Sequence, residues 1–401
     1  MRDDVPARHL GKVCDILDSR RKPITKRDRV PGPYPYYGAA GVLDYVEGCI
    51  FDEPLVLIGE DGAKWGAGER TAYMVEGKCW VNNHAHVIRP NRDLILDSWV
   101  VYYLNAIDLA PFISGLTVPK LNQARLREIP IPLPPLPEQK RIVAILDEAL
   151  AGIATAVANT EKNLVNAREL FESYLNSAFS RLQVTCEAKT ISEIAAVKGG
   201  KRVPKGYKFQ TNPTGFPYIT VSAFTDEGGI DPSGVKYIDE DIYKQISRYI
   251  ITTSDVYISI AGTIGKSGII SEDLDGANLT ENACRLIFQP EIFNRFVYFF
   301  TKTLSFEDQA LKNTRIAAQP KLALERLKTI TLPIPSRELQ EQMVSEFDGL
   351  LAEVRRLESI QHQKLAALAE LKQSLLQKAF SGELTADKDV SNAFEHKEEV
   401  A

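Results

Sequence analysis

The 401-residue chain has only five cysteines, Cys14, Cys49, Cys79, Cys186 and Cys284, and they stand singly and far apart. No Cys-x-x-Cys pair or Cys/His cluster exists, which excludes the spacing of a structural zinc site and of a disulfide framework. Reduced thiols are expected. No uninterrupted apolar run approaches the roughly 20 residues a membrane-spanning helix needs, and MRDDVPARHLGK has no signal-peptide apolar core. A cytoplasmic protein with no membrane role is therefore expected. Catalytic signatures are missing as well: no Gly-x-Ser-x-Gly, no His-Glu-x-x-His and no Rossmann fingerprint. Gly262-Thr263-Ile264-Gly265-Lys266-Ser267 looks like a phosphate loop, but Ile260 stands where that loop needs its first glycine. Asn212-Pro213-Thr214-Gly215 lacks the second proline and the aromatic of an amino-methyltransferase loop. His84 and His86 could share a strand face, yet no acidic or Cys ligand is patterned near them, so neither metal nor cofactor is expected.

A net charge of −5 argues against a polyanion binder that is basic throughout. Charge is nonetheless concentrated locally. Segment 19–29 (SRRKPITKRDR) holds six basic residues against Asp28 alone, and 198–208 (KGGKRVPKGYK) holds five with no acid. Basic loops on a neutral body suit a protein that touches phosphates at chosen places.

The chain is also written twice. Shifted by 201 residues, PKLNQARLREIPIPLP (119–134) falls on PKLALERLKTITLPIP (320–335). The match runs without a gap through Gln139 on Gln340, Val143 on Val344 and Asp147 on Asp348. It ends with Ala178-Phe179-Ser180 on Ala379-Phe380-Ser381. Regions upstream correspond more loosely: Trp99–Leu104 resembles Phe296–Phe300, and each basic segment precedes a Pro-Tyr pair, Pro35-Tyr36 or Pro217-Tyr218. The pattern is divergent domain, kept helix, divergent domain, kept helix.

From Glu138 to Ser180 no proline interrupts, and apolar residues recur in alternating steps of three and four, as in a coiled-coil seam. The second copy keeps the register through Met343, Phe347, Leu350 and Val354. Such a helix, roughly 60–65 Å long at ~1.5 Å per residue, needs a partner for its stripe, and its own copy is the nearest. The expected fold class is α+β: two globular domains joined by two long antiparallel coiled-coil helices with pseudo-twofold internal symmetry. Prolines crowd the first joint (PIPLPPLPEQK) more than the second (TLPIPSRELQ), so the first is expected to be the stiffer.

Residues 1–135 and 183–335 mix short strand-like runs, 54–59, 86–90, 248–262 and 284–290, with turn residues and few helices. Reading DNA takes cations for phosphates and planar or amide groups for base edges. The candidates are Arg20, Arg21, Lys22, Lys26, Arg27, Tyr36 and Lys64 in the first domain, with Lys198, Lys201, Arg202, Lys205 and Lys266 in the second.

Two divergent domains, each followed by a repeated helix, with PIPLPPLPEQKRIVAILD at the first junction and LLQKAFSGEL near the end, closely resemble the specificity subunit of type I restriction–modification enzymes. The resemblance implies that residues 1–135 and 183–335 are target-recognition domains, each reading half of a bipartite double-stranded DNA target. It implies that helices 136–182 and 336–384 set the half-site spacing and dock two modification (methyltransferase) subunits, with a polar tail at 385–401. Pro132, Pro134, Leu146 and Ile153, and Pro333, Pro335, Phe347 and Val354, are the spacer and docking residues so expected. ATP-dependent restriction subunits join such complexes, and catalysis belongs to the partners. Repeat symmetry alone also allows a protein–protein adaptor with no DNA role. A fused enzyme is the third class, and the missing motifs count against it.

Overall fold

The computed structural model describes residues 6–115, 117–210, 212–312, 314–315 and 321–385. The chain divides into two compact units, 1–161 with 362–401, and 162–361. The boundary falls inside both long helices rather than at their ends, so each unit holds one globular domain, half of the first long helix and half of the second.

In the first unit a four-stranded antiparallel sheet runs in the order Cys14–Ile16, Ala85–Pro90, Leu55–Gly59, Ala72–Val75. The uninterrupted apolar run at its centre is explained by burial on both faces. Val56 and Ile58 enter the core against Trp99, Val100 and the long helices, whereas Leu55 and Leu57 enter a second cluster with Phe51, Tyr73 and Val87. A second sheet orders Gly41–Val46, Pro31–Gly38, Lys78–Val81 and Phe51–Asp52, and its middle pair is parallel.

The second unit repeats this plan. Its sheet runs Ala195–Gly199, Ala283–Phe288, Val256–Ser259, Ser267–Gly268, and beside it lie Lys236–Tyr237, Pro217–Ile219 and Asn278–Leu279, the last pair parallel. Of the expected strand at 248–262, only Val256–Ser259 is one. The Asp255 carboxylate accepts from the Thr252 backbone N–H at 2.8 Å and from its hydroxyl at 3.0 Å, closing a turn just before it.

The long helices span Leu136–Thr185 and Arg337–Ser381. They pack antiparallel within each unit: Ile142, Val143 and Leu146 share a core with Leu376 and Ala379 in the first, and Leu175, Ala178 and Phe179 with Val344 and Phe347 in the second. One 18-residue window of the first helix has a mean hydropathy of 1.6 and is 17% buried, so by length and composition it is apolar enough to cross a membrane. This corrects the expectation that nothing in the chain approaches such a span. Small residues of 149–158 (ALAGIATAVA) raise the mean without making a run of large apolar side chains.

The repeated Ala-Phe-Ser signature is a reciprocal lock. Phe380, at the end of the second helix, packs edge-on against Trp99 and Tyr103 of the first domain, at centroid distances of 4.8 and 5.1 Å. Phe179, at the end of the first helix, meets Phe296 and Phe300 of the second domain at 5.1 and 5.5 Å. Each domain is thus closed by the helix that follows the other domain.

Both proline joints are strands. Ala7–His9 pairs with Pro130–Pro132, and Ala188–Thr190 with Thr331–Pro333. Just beyond each joint a buried glutamine clamps helix to domain. Gln139 accepts from the Leu96 N–H at 3.0 Å and donates to the Leu94 and Pro134 carbonyls at 2.9 and 2.8 Å. Gln340 accepts from the Phe293 N–H at 2.8 Å and donates to the Glu291 and Pro335 carbonyls at 3.2 and 3.0 Å. The expected contrast of a stiff and a soft joint is not what the bonds provide, because the same strand pairing and the same clamp hold both.

Candidate nucleic-acid interface

A basic segment projects from the equivalent place in each domain, and the same two devices anchor it. The backbone N–H of Lys22 donates to the Val81 carbonyl at 3.3 Å, and that of Lys201 to the Leu279 carbonyl at 2.8 Å. Each acceptor lies on the strand parallel to the Pro-Tyr strand. The Pro-Tyr tyrosines supply the second anchor. Tyr36, 1% exposed, accepts from the Ile24 N–H at 2.9 Å, and Tyr218, 2% exposed, donates to the Lys201 carbonyl at 2.9 Å. Tyr36 was expected to meet DNA, but its ring is consumed by the core and its hydroxyl by the backbone of the segment it holds. It holds the backbone of the basic segment from beneath.

The cations divide by what already binds them. Lys22, Lys26, Lys198 and Lys205 are exposed and make no ion pair among the described residues. Arg27 is exposed and lies 3.5 Å from Asp28. Lys201 is exposed, with its ammonium 5.9 Å from the centre of the Tyr249 ring. Arg20 pairs with Glu53 at 3.3 Å and covers Phe51, and Arg202 pairs with Glu281. Lys64 is exposed, 3.8 Å from Glu69. Lys266 is largely covered and pairs with Asp226 at 2.7 Å, which with that bond holds the Asp226 carboxyl below its usual range. The loops bearing Lys64 and Lys266 leave matching strands, Leu55–Gly59 and Val256–Ser259.

Arg21 differs from its neighbours. Its side chain is 13% exposed and bonds the Glu60 carboxylate and the Ala85 carbonyl, the latter at 2.8 Å. His86, fully buried, lies beside them, its Nδ1 2.6 Å from Asp18 and its Nε2 2.7 Å from the Leu121 carbonyl. Burial would raise the Asp18 carboxyl, but the bonds from His86 and the Val87 N–H, with Arg21 nearby, hold it below the usual range. Asp18, Glu60 and His86 cluster closely enough to suggest metal ligands. Arg21 and Lys120 already occupy that charge, with Lys120 Nζ 2.7 Å from Glu60. The residues fit an internal ion network and do not fit a cation site. The sequence hid this because the two acids are 68 and 26 positions from His86.

The expected docking residues are spent inside the units. Pro132, Pro134, Leu146, Pro333, Pro335 and Phe347 are buried, Ile153 is 9% exposed and Val354 is half-buried. Seam periodicity finds the face a helix buries first, here against its own fold. Apolar side chains left to solvent on the second helix include Leu350, Leu357 and Ile360.

The family model described as the type I restriction modification DNA specificity domain matches residues 3–166 and 183–366, two copies covering most of the chain. A putative type I restriction enzyme specificity subunit of Haemophilus influenzae is 29% identical over 361 residues, 86% of this chain and 87% of that one. The MjaVIII specificity subunit of Methanocaldococcus jannaschii is 23% identical, covering 88% of each chain. Among solved structures, a chain from work on the assembly and conformational transition of the type I R-M system has a TM-score of 0.73 at 18% identity, covering 95% of this chain and 100% of that one. The HsdS subunit of Thermoanaerobacter tengcongensis has a TM-score of 0.56 at 18% identity, covering 96% and 98%.

Proposed function

The chain belongs to the type I restriction–modification DNA specificity family, and from that premise we propose that its two globular domains each read one half of a bipartite DNA target. It is a DNA-recognition subunit of the type I kind, and specificity subunits are the non-catalytic component of such systems. The observation that carries the finer reading is the matched anchoring of two basic segments, each held by a buried tyrosine and a strand carbonyl. Anchoring of the backbone leaves Lys22, Lys26, Arg27, Lys198, Lys201 and Lys205 to reach phosphates from fixed positions, which sets register on the duplex. Lys64 and Lys266, on matching loops, are further contacts. Arg21 and Tyr36 act behind this surface.

Residues 1–135 and 183–335 are the two recognition domains in this reading, and 136–182 and 336–384 the spacer helices that fix the gap. Two modification subunits dock on those helices, one for each repeat, through exposed positions such as Val165 and Leu170 on the first and Leu350, Leu357 and Ile360 on the second. Methyl transfer, and cleavage where restriction subunits join, are theirs. All of this takes place in the cytoplasm.

The test is a swap in the purified assembly with modification subunits. Replacing residues 1–118 by another such domain, and sequencing methylated bases in a random duplex pool, is expected to change one half of the target and leave the gap and the other half intact. A change in both halves, or in neither, overturns independent half-site reading.

A further inference from the structure

We propose that Glu60 and His86 are positioning residues for DNA reading by the first domain, tying together the segments from which its cations project. The proposal rests on the reading above, in which that domain recognises one half of the target. Three stretches distant in sequence meet at the cluster. Arg21 comes from the basic segment. Glu60 opens the loop that carries Lys64. Lys120 belongs to the Pro-Lys-Leu segment, whose Leu121 N–H donates to the Glu60 carbonyl at 2.8 Å.

The side-chain geometry leaves little freedom. Both ring nitrogens of His86 are engaged, Nδ1 with Asp18 at 2.6 Å and Nε2 with the Leu121 carbonyl at 2.7 Å, so the ring bridges the strand, the start of the basic segment and the Pro-Lys-Leu segment. Glu60 receives Arg21 on one oxygen and Lys120 on the other. Asp61 extends the network to the surface, 3.8 Å from Lys120 and 2.5 Å from the half-exposed His84. A fully satisfied buried network specifies one arrangement of its members, while contributing little net stability over apolar packing.

The second domain shows that the fold does not need it. Strand pairing sets Ile58 opposite His86 and Ile258 opposite Cys284, so a buried cysteine stands in the histidine's place. Leu322 donates to the Ile260 carbonyl as Leu121 does to Glu60, so isoleucine stands in the glutamate's place. The same frame closes there without the ionic tie. Among the described residues the charged cluster is therefore an addition to the first domain, placed directly behind its candidate contacts.

The experiment uses the full chain assembled with modification subunits and a duplex pool randomised across the target. Glu60→Gln and His86→Gln are expected to lower selectivity by about tenfold at each base pair read by the first domain, while selectivity in the other half stays as in the unaltered assembly. A merely structural role would lower total methylation and thermal stability without favouring one half. Equal change in both halves, or full retention in both, overturns the proposal. If a glutamine variant does not assemble, Asp18→Asn, which keeps an acceptor for the Val87 N–H, gives the same readout with the same two outcomes. An unaltered assembly with no two-part selectivity overturns the underlying reading and this one with it. Two-part selectivity that survives every substitution overturns this one alone.

Discussion

Gln139→Leu keeps the volume of a buried side chain and removes every bond it makes. The Leu96 N–H and the Leu94 and Pro134 carbonyls lose their partners together. A hydrogen bond is worth about 1 kcal/mol net, but a buried group left unsatisfied costs about 1–3 kcal/mol. With three groups and partial access of water to two of them, the substitution is expected to cost about 3–5 kcal/mol. Gln340→Leu strips the same set at Phe293, Glu291 and Pro335, so its cost is expected to agree within about 1 kcal/mol. In urea, at a slope of about 2–3 kcal/mol per M, each midpoint falls by roughly 1–2 M. Hydrogen exchange locates the loss: amides near 94–96 and 134–139 open in the first variant, and those near 291–293 and 335–340 in the second. A midpoint shift below roughly 0.3 M at either site would refute the clamp. Gln139→Glu adds a pH test. A carboxylate facing two carbonyls titrates higher in the fold than in the unfolded chain. Its penalty is therefore present above that raised value and relieved as pH falls through it.

Phe179→Ala is expected to cost about 3–5 kcal/mol, and Phe380→Ala less, because Phe179 is fully buried and Phe380 only half-buried; equal costs in urea titration would contradict the two locks as described. Arg21→Ala leaves Glu60 with Lys120 alone and Asp18 with His86 alone, and is expected to lose about 3 kcal/mol of stability, the low end for breaking a buried pair. Lys22→Ala should spare stability and reduce the slope of log affinity against log salt by about 0.9, so a reversed assignment is readily seen by pairing melts with salt-dependent gel shifts. Asp18 titrates below its usual range in the fold, so its contribution is present above the unfolded value of about 3.9 and lost as pH falls through the lower folded value; Asp18→Asn should flatten stability against pH in that acid window, measured by urea midpoints from pH 5 down.

The large features of this fold are legible because they repeat. The offset that aligns Pro119-Lys120-Leu121 with Pro320-Lys321-Leu322 also aligns Gln139 with Gln340 and Phe179 with Phe380, and the last two pairs prove to be a matched clamp and a matched lock. Strand order and domain content follow from the same doubling. The chemistry of individual side chains was harder to read. Tyr36 beside a basic run has the composition of a contact residue, yet whether an aromatic faces out or in depends on which strand runs alongside, and its parallel neighbour Lys78–Val81 is more than forty positions away. Arg21 and Lys22 are adjacent and chemically alike; one is taken by acids at 18 and 60, the other by none among the described residues. Seam periodicity has the same limit, since it reports that Phe347 is buried without saying whether its own chain or another protein covers it.

The reciprocal lock also bears on how the protein is made. The first unit needs residues 362–385, whereas the second is contained wholly in 162–361. At synthesis rates of about 5–20 residues per second, the 200 intervening residues take roughly 10–40 s to emerge. During that interval Trp99 and Tyr103 lack Phe380, and the apolar stripe of Ile142 and Leu146 lacks Leu376 and Ala379. The half of the chain translated first is the half that finishes folding last, and the nascent protein must keep an unfinished domain from aggregating while its closing helix is still being written.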